Sequence, residues 1–470
     1  MKMIKHKLSL LLLMIFAVTS SFAAVDEAKV AAKRDAILKN IVGAKQSPDQ
    51  KTVSIVQFGA KGNGKNDCKP AFDKAMKKAE KTKGGLHIVV PKGVYYINGP
   101  INLVSNIVLE IQQDAVLKFS DNPDSYPLVE TSWEGTYVMN YSPFIYGKGL
   151  SDVSIIGNGT IDGNALETFG KWKPEGKQTA DQMLSREMNH KELPVKERVF
   201  GKGHFLRPQM IQFFMCKNVT VDGLKMTNSP FWCLHLLQVD NAIVKNLSFK
   251  ANKILNNNGV TLEYASNILV EGCHFCNADD NVVVKCGRDN DGWTTNIPSR
   301  NIVVRKCQFK GLHAFVCGSE VSAGIQDVFV EDCTFSGYCK RGFYIKTNPD
   351  RGGYVRNIYI NNCEFGEVYD LLFVTSVYSG EGLRNNYFSD VHDIHVRNVR
   401  CKKARNAAFV LQGSAVRPVY NVSFNNVEVD EAKHAFTFDY TKYIEISNTH
   451  VGEKIEIPSA LTDDEMKDFE

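Results

Sequence analysis

Asn267-Ile-Leu-Val-Glu-Gly-Cys-His-Phe is one copy of a phrase that recurs down the chain. Other copies read Asn301-Ile-Val-Val-Arg-Lys-Cys-Gln-Phe, Asp327-Val-Phe-Val-Glu-Asp-Cys-Thr-Phe and Asn357-Ile-Tyr-Ile-Asn-Asn-Cys-Glu-Phe. Shorter copies stand at Asn218-Val-Thr-Val, Asp393-Ile-His-Val and Asn421-Val-Ser-Phe, and weaker ones near Asn106, Asp152 and Asn241. From Asn241 onward the copies are 26, 34, 26, 30, 36 and 28 residues apart. Alternation of apolar and polar residues within a copy means a strand with one buried face. A fixed strand motif with variable spacers means stacked rungs whose insertions leave as loops. The spacers hold no helix-length apolar pattern, which argues against leucine-rich and βαβ folds. Propeller blades would need about 40 residues or more each, with antiparallel hairpins, and neither pattern appears. The fold class expected is therefore all-β, a single right-handed parallel β-helix. Asn or Asp stands at the recurring turn, where its short side chain bonds backbone and tolerates left-handed geometry.

Each rung carries a second strand: Gly259-Val-Thr-Leu-Glu, Asn281-Val-Val-Val-Lys, Ala314-Phe-Val-Cys, Gly342-Phe-Tyr-Ile-Lys, Leu371-Leu-Phe-Val and Ala407-Ala-Phe-Val. Stacked in parallel, about 4.8 Å apart, these form one face. The residues just before them line one edge, which places Asn258, Asp280, His313, Arg341, Asp370 and Asn406 in a row. By alternation Glu263, Lys285, Tyr344 and Lys346 point outward from that face. A band so rich in Asp, Glu, His, Lys and Arg suits an extended, hydroxyl-rich, anionic ligand.

The remaining segments bound the domain. Residues 1–23 carry three lysines, an apolar run from Leu8 to Val18 and Ser21-Phe22-Ala23, the pattern of a secretory signal peptide too short to span a membrane. The protein is thus expected to be periplasmic or secreted. Removing Lys2, Lys5 and Lys7 takes the formal charge from +4 to +1, which favours neither nucleic acid nor membrane as a partner. Residues 24–50 form an N-terminal helical segment, with helix expected over 26–42 and again over 70–82, both covering the open end of the β-helix. The catalytic β-helix spans 51–451, and 452–470 form an acidic, weakly helical tail. Residues 163–205 are polar and lack the repeat, so they read as a long inserted loop walling the cleft. Of the 12 cysteines, Cys273, Cys307, Cys333 and Cys363 each lie six residues after the turn Asn or Asp. They are expected to stack as reduced core residues rather than pair as disulfides.

Chemistry concentrates at Asp279-Asp280, immediately before a β-branched strand. A strand edge has no structural need for two adjacent carboxylates, and their mutual repulsion raises the pKa of one. Such a pair suits glycoside hydrolysis, in which one carboxylic acid protonates the leaving oxygen and another carboxylate activates water or attacks carbon. His313, in register one rung on, fixes the geometry or protonation of the acid. Lys346 and Arg341 are candidates for binding a uronate carboxylate. Trp133, Trp232 and Trp293 are candidates for stacking on sugar rings. No His/Cys cluster has zinc spacing, and no nucleophile elbow or phosphate loop is present.

At these residues the chain resembles glycoside hydrolase family 28, the polygalacturonase family. The resemblance runs from about Val53 to Val451. It rests on Phe58-Gly-Ala-Lys-Gly-Asn-Gly-Lys-Asn-Asp, Asn228-Ser-Pro-Phe-Trp, Asp279-Asp280 and Gly318-Ser-Glu after His313. Gly287-Arg-Asp-Asn-Asp-Gly and Asn348-Pro-Asp-Arg-Gly-Gly-Tyr are similar to bacterial, pectin-degrading members. The resemblance implies an inverting hydrolase with Asp279 as general acid, Asp280 as general base, His313 in the site, and no cofactor or metal. A monomer acting on pectic polysaccharide or oligosaccharide is expected. Two departures stand out. The family's Asn-Thr-Asp aligns with Asn256-Asn257-Asn258, so a third carboxylate becomes an amide, which orients water but takes no proton. The family's Arg-Ile-Lys aligns with Tyr344-Ile345-Lys346, leaving Arg341 or Arg351 to replace the arginine. Both shift the expected substrate toward rhamnogalacturonan or a substituted galacturonide. Substrate-binding candidates are thus Asn258, Lys285, Arg341, Tyr344, Lys346 and Arg351. A polysaccharide lyase and a non-catalytic pectin-binding β-helix are the alternatives on the same scaffold.

Overall fold

The computed structural model describes residues 26–378 and 386–453, so the signal-peptide expectation and nearly all of the expected acidic tail lie outside the described residues. The chain winds as a right-handed β-helix, in which every strand pairing among the described residues is parallel except that of one hairpin, Leu128–Trp133 with Thr136–Tyr141. The sheet that matters for function is built from β1 (Ile145–Lys148), β2 (Ile211–Phe214), β3 (Leu234–Leu237), β4 (Val260–Glu263) and β5 (Asn277–Lys285). It continues through β6 (Gly311–Gly318), β7 (Thr334–Lys346) and β8 (Tyr354–Thr375). Each pairs in parallel with the next, for example Val260 with Val282, Asp280 with His313, His313 with Arg341 and Arg341 with Asp370. The edge row read from the sequence is therefore real from Asn258 to Asp370. Beyond it a register irregularity sets Asp370 opposite Ala407 rather than Asn406.

The recurring Asn and Asp residues do what their chemistry allows. Asn218, Asn241, Asn267, Asn301, Asp327, Asn357, Asp393 and Asn421 all adopt positive φ, between 53° and 68°. Their amides bond from rung to rung, as in Asn301 Nδ2 to Asn267 Oδ1 (2.9 Å) and Asn357 Nδ2 to Asp327 Oδ1 (2.8 Å). All 12 cysteines are free, and Cys273, Cys307, Cys333 and Cys363 are buried in the continuous core. Their thiols contact backbone carbonyls and act as small hydrophobes. Reductant is accordingly expected to leave the melting temperature unchanged, as thermal denaturation with and without dithiothreitol will show.

Two helices near the N-terminus form close to their expected limits but do different jobs. Helix α1 (Glu27–Asn40) starts at Asp26, whose carboxylate accepts from the Lys29 amide. Helix α2 (Lys69–Glu80) has Pro70 in its first turn and buries Ala71, Phe72, Ala75, Met76 and Ala79 in the main core. It covers the first coil. Helix α1 does not cover the end, contrary to expectation. It lies along the flank, with Ile37 and Ile41 packed on Val303 and Phe329, and with Lys33 and Arg34 paired to Asp327 and Glu331. The chain after it stays on that flank. The Val42 and Gly43 amides donate to Asn241 Oδ1, and the Lys45 amide donates to Asp152 Oδ1. The polar turn ladder offered those acceptors, and an exposed flank of stacked rungs supplied the apolar groove.

The insertion at 163–205 is not a loop throughout, because it contains helix α3 (Gln178–His190). Its fully buried positions, Gln178, Asp181, Ser185 and Asn189, are all polar. Its apolar contact is limited to the partly buried Leu184 and Met188 on the Trp133 cluster, too short a pattern to mark a helix in the sequence. Gln178 accepts from Arg207 (2.6 Å), Asp181 accepts from His204 and the Phe205 amide, and Asn189 donates to the Arg288 carbonyl.

Candidate active site

A cleft of about 510 Å³ opens over the outer face of β4 to β7. Asp279 and Asp280 enter it at the start of β5, where a bulge between Asn277 and Asp280 turns successive side chains into the same space. His313 follows from β6, and Arg341, Tyr344 and Lys346 from β7. Asp279, Asp280 and His313 each bring one polar atom within 4.8 Å of the others.

The two carboxylates live in different environments. Asp279 is partly exposed and accepts from Asn256 Nδ2 (3.2 Å) and from the Asp280 amide (2.9 Å). Asp280 is buried, with Oδ1 at 2.7 Å from His313 Nδ1 and Oδ2 at 3.3 Å from Lys346 Nζ. Burial works to raise its pKa, but the Lys346 ammonium, the His313 hydrogen bond and the Lys285 charge outweigh it and hold the carboxyl well below the usual range. Burial lowers the pKa of His313, against the pull of Asp280. Near neutrality the site is thus an Asp280 carboxylate beside a neutral imidazole. Since a carboxylate only accepts, His313 carries its proton on Nδ1 and leaves Nε2 as an acceptor. Lys346, whose pKa is raised by Asp280 and Asp279 despite burial, supplies the compensating charge. That ammonium also opposes a metal ion at the Asp279–Asp280–His313 cluster, although the spacing of the three groups would accept one.

Around this centre the cleft is cationic, with seven Lys or Arg side chains against four Asp or Glu. Arg341 faces this centre from β7, beside Tyr344. Its guanidinium lies 4.9 Å from the Tyr344 ring and 4.2 Å from that of Phe373, with Asp370 at 3.4 Å. Tyr344 is the platform beneath it, a phenol that burial pushes up to about 12. Asn258 is buried one rung before Asp280, with Nδ2 on Thr261 and Oδ1 without a protein partner among the described residues. Lys285 lines the cleft, but its ammonium is held by Glu320 (2.5 Å) and by the Gly318 carbonyl (3.0 Å). Gly318 sits at φ 105°, and a Cβ there would fall 2.0 Å from the Lys346 carbonyl oxygen.

Arg351 is not in the cleft. It is fully buried and paired with Asp289 at 3.1 Å, so it holds the loop after β5 rather than a sugar. Arg351→Ala is expected to cost about 3–5 kcal/mol by leaving Asp289 buried with a charge unpaired, measurable by denaturant unfolding. Glu263 does point outward from β4, yet it is 0% exposed and bonded to Ser132 and His235, so no ligand meets it. Of the three tryptophans, Trp232 borders the cleft but is fully buried in the same apolar cluster as Trp133, so it offers no open face to a sugar. Trp133 packs against Phe231 in a separate core, and Trp293 donates to the Arg351 carbonyl.

The sequence reading missed a buried charge chain at the edge of the cleft. Glu320 bridges Lys285 and Arg288, while Glu134 pairs with Arg186 of α3 and approaches Arg288 at 3.9 Å. Lys285, Arg288 and Arg351 hold Glu320 well below the usual carboxylate range despite burial, and burial brings Arg288 down to about 10. Glu320 and Arg288 sat inside quoted motifs. Glu134 and Arg186 come from segments outside the repeat, where no register signal exists.

Comparison with known proteins places this geometry. The profile of the family described as glycosyl hydrolases family 28 matches residues 85–451. A probable polygalacturonase of Vitis vinifera is 28% identical over 406 residues, covering 83% of this chain and 76% of its own. An endo-polygalacturonase of Pectobacterium carotovorum subsp. carotovorum is 24% identical, covering 71% of this chain and 77% of its own. The crystal structure of a hyperthermoactive exopolygalacturonase from Thermotoga maritima superposes with a TM-score of 0.83 at 32% identity, covering 89% of this chain and 96% of that one.

Proposed function

The chain belongs to glycosyl hydrolases family 28, and from that premise we propose that it is an exported, inverting hydrolase of galacturonic-acid linkages in pectin. The observation that carries the reading is the Asp279–Asp280–His313 cluster set in a cationic cleft. Polygalacturonic acid is the substrate favoured, because Lys346 and Arg341 together restore the two cations that Tyr344 had seemed to reduce to one.

Asp279 gives its proton to the leaving glycosidic oxygen as the bond from that oxygen to the anomeric carbon breaks. Water attacks the carbon and passes its proton to Asp280. Asp280 is a weak base in the resting site, but water bonding to an oxocarbenium-like carbon becomes acidic, so a permanently ionised acceptor suffices. Both Asp280 oxygens are already held, by His313 and by Lys346. That favours proton acceptance over covalent attack on the sugar. The nearest polar atoms of the pair lie within 4.8 Å, less than the roughly 6.5–9.5 Å that seats a water between the carboxyl groups of common inverting pairs. The attacking water is therefore assigned to the flank of Asp280, where the Asn258 amide oxygen accepts from it. Asn258→Ala is expected to lower kcat about tenfold or more with little change in KM, as steady-state kinetics will show.

The test is to incubate the purified protein with defined pectic oligosaccharides and follow new reducing ends and the first-formed anomer by proton NMR. Inverted anomer from oligogalacturonates supports the reading, and retained anomer overturns inversion. Cleavage confined to rhamnogalacturonan overturns the substrate assignment. Products absorbing in the ultraviolet mark a lyase, and binding without cleavage marks a non-catalytic protein. Export is tested by fractionating cells that express the full chain and sequencing the mature N-terminus.

A further inference from the structure

The row of edge residues continues past the catalytic groups. Arg341 of β7 stands beside His313 on one side and Asp370 of β8 on the other. The next outward row sets Val283 and Val316 beside Tyr344 and Phe373, so an apolar strip runs along the same edge. Arg341 lies in a corner of that strip. The Tyr344 and Phe373 rings meet at 89° with centroids 5.5 Å apart, and the guanidinium sits 4.9 Å from the first and 4.2 Å from the second. Asp370 closes a third side at 3.4 Å. It is fully buried, and its Oδ1 accepts from Asn406 Nδ2 at 2.7 Å. A strand has no use for a carboxylate at zero exposure unless a partner compensates it, and Arg341 is the cation in contact with it. Asp370 Oδ2 makes no hydrogen bond among the described residues, so the contact is one of charge and leaves N–H groups of the guanidinium for a ligand. Arg341 lines the cleft with its side chain 13% exposed, whereas Asp370 and Phe373 lie behind it, outside the lining.

We infer that Asp370 and Phe373 are positioning residues, which hold Arg341, before substrate arrives, in the pose from which its guanidinium meets a galacturonate carboxylate. The inference rests on the hydrolase reading above and adds the residues outside the cleft that set its affinity for a charged sugar. A long side chain loose in solvent loses rotamer freedom when a ligand fixes it, and that loss weakens binding. Arg341 gives up the freedom on folding instead, because two rings and a carboxylate confine its planar fork. The rings also present their negative faces to the cation, which holds it against them while the cleft is empty.

The experiment is titration calorimetry of trigalacturonate into Asp279→Asn protein, with Asp370→Asn, Phe373→Leu, Phe373→Tyr or Arg341→Ala added to it. Asp370→Asn keeps an acceptor for Asn406 and removes the charge. It and Phe373→Leu are each expected to raise Kd about tenfold, and Arg341→Ala at least as much. Phe373→Tyr keeps the ring and should leave Kd unchanged. With Arg341 already alanine, Asp370→Asn and Phe373→Leu should change Kd no further. An equal rise in Kd with and without Arg341 would mean that the two residues merely hold the strand, and it overturns the inference. So does an Arg341→Ala protein that binds as tightly as its parent. Phe373 is only partly buried, so its two variants decide the matter alone should Asp370→Asn not fold. Cleavage is scored separately with the wild-type protein. No new reducing ends would sink the hydrolase reading while the calorimetric comparison still stands, and trigalacturonate that does not bind at all overturns both.

Discussion

Asp279→Asn will lower kcat by about 10²–10⁴-fold and leave thermal stability unchanged. The side chain is partly exposed, and its two hydrogen bonds fall on different oxygens, Oδ1 from the following amide and Oδ2 from Asn256. Asparagine keeps the first and gives up only the second, at a partly solvated position where the loss costs little. What it cannot do is release a proton to the leaving oxygen. The loss should therefore appear in kcat with natural substrate, and it should shrink for a substrate whose leaving group departs without protonation. Turnover near wild type in this variant would remove Asp279 from the role of acid.

Asp280→Asn should lose activity on the same scale but, unlike its neighbour, unfold more easily, by about 3–5 kcal/mol. Asparagine keeps the shape and can still accept from His313, yet it leaves the buried Lys346 ammonium without its counter-charge. The pH dependence follows from the directions of the two shifts. Asp280 is depressed, so its contribution is present above the unfolded carboxyl value of about 3.9 and is lost as pH falls through the folded one. Lys346 is raised, so its contribution is present below about 10.4 and is lost as pH rises through the folded value. The stability gap between wild type and variant should thus be flat from about pH 4 to about pH 10 and narrow outside that window. Denaturant unfolding at several pH values measures it. A gap that closes near neutrality would mean that the pair is not charged as assigned.

The contrast between these neighbours shows how far residues alone could be read. The turn Asn or Asp of each repeat marks the register of a whole ladder, and that register alone sets Asp280, His313 and Arg341 side by side. Which of two adjacent carboxylates would be buried was not legible, because it depends on a bulge and on a lysine 66 residues away. Arg351 misled for the opposite reason. A basic residue inside a family-like motif looks like a ligand, and only its burial against Asp289 shows that it stabilises a loop. The wall of the cleft was the least legible part. Helix α3 meets the protein mainly through Gln178, Asp181, Ser185 and Asn189, a polar stripe, with only Leu184 and Met188 as apolar contacts, so apolar periodicity marks it weakly. The hairpin is likewise the one antiparallel pairing in the described residues of an otherwise parallel fold.

The rung-by-rung pairing of β5, β6 and β7 has a consequence for how the protein fails on heating. The groups that must act together come from neighbouring strands of one hydrogen-bonded stack, so none can drift without breaking backbone pairs on both sides. Inactivation should therefore follow cooperative melting of the stack, and the temperature profile of residual activity should coincide with that of strand content.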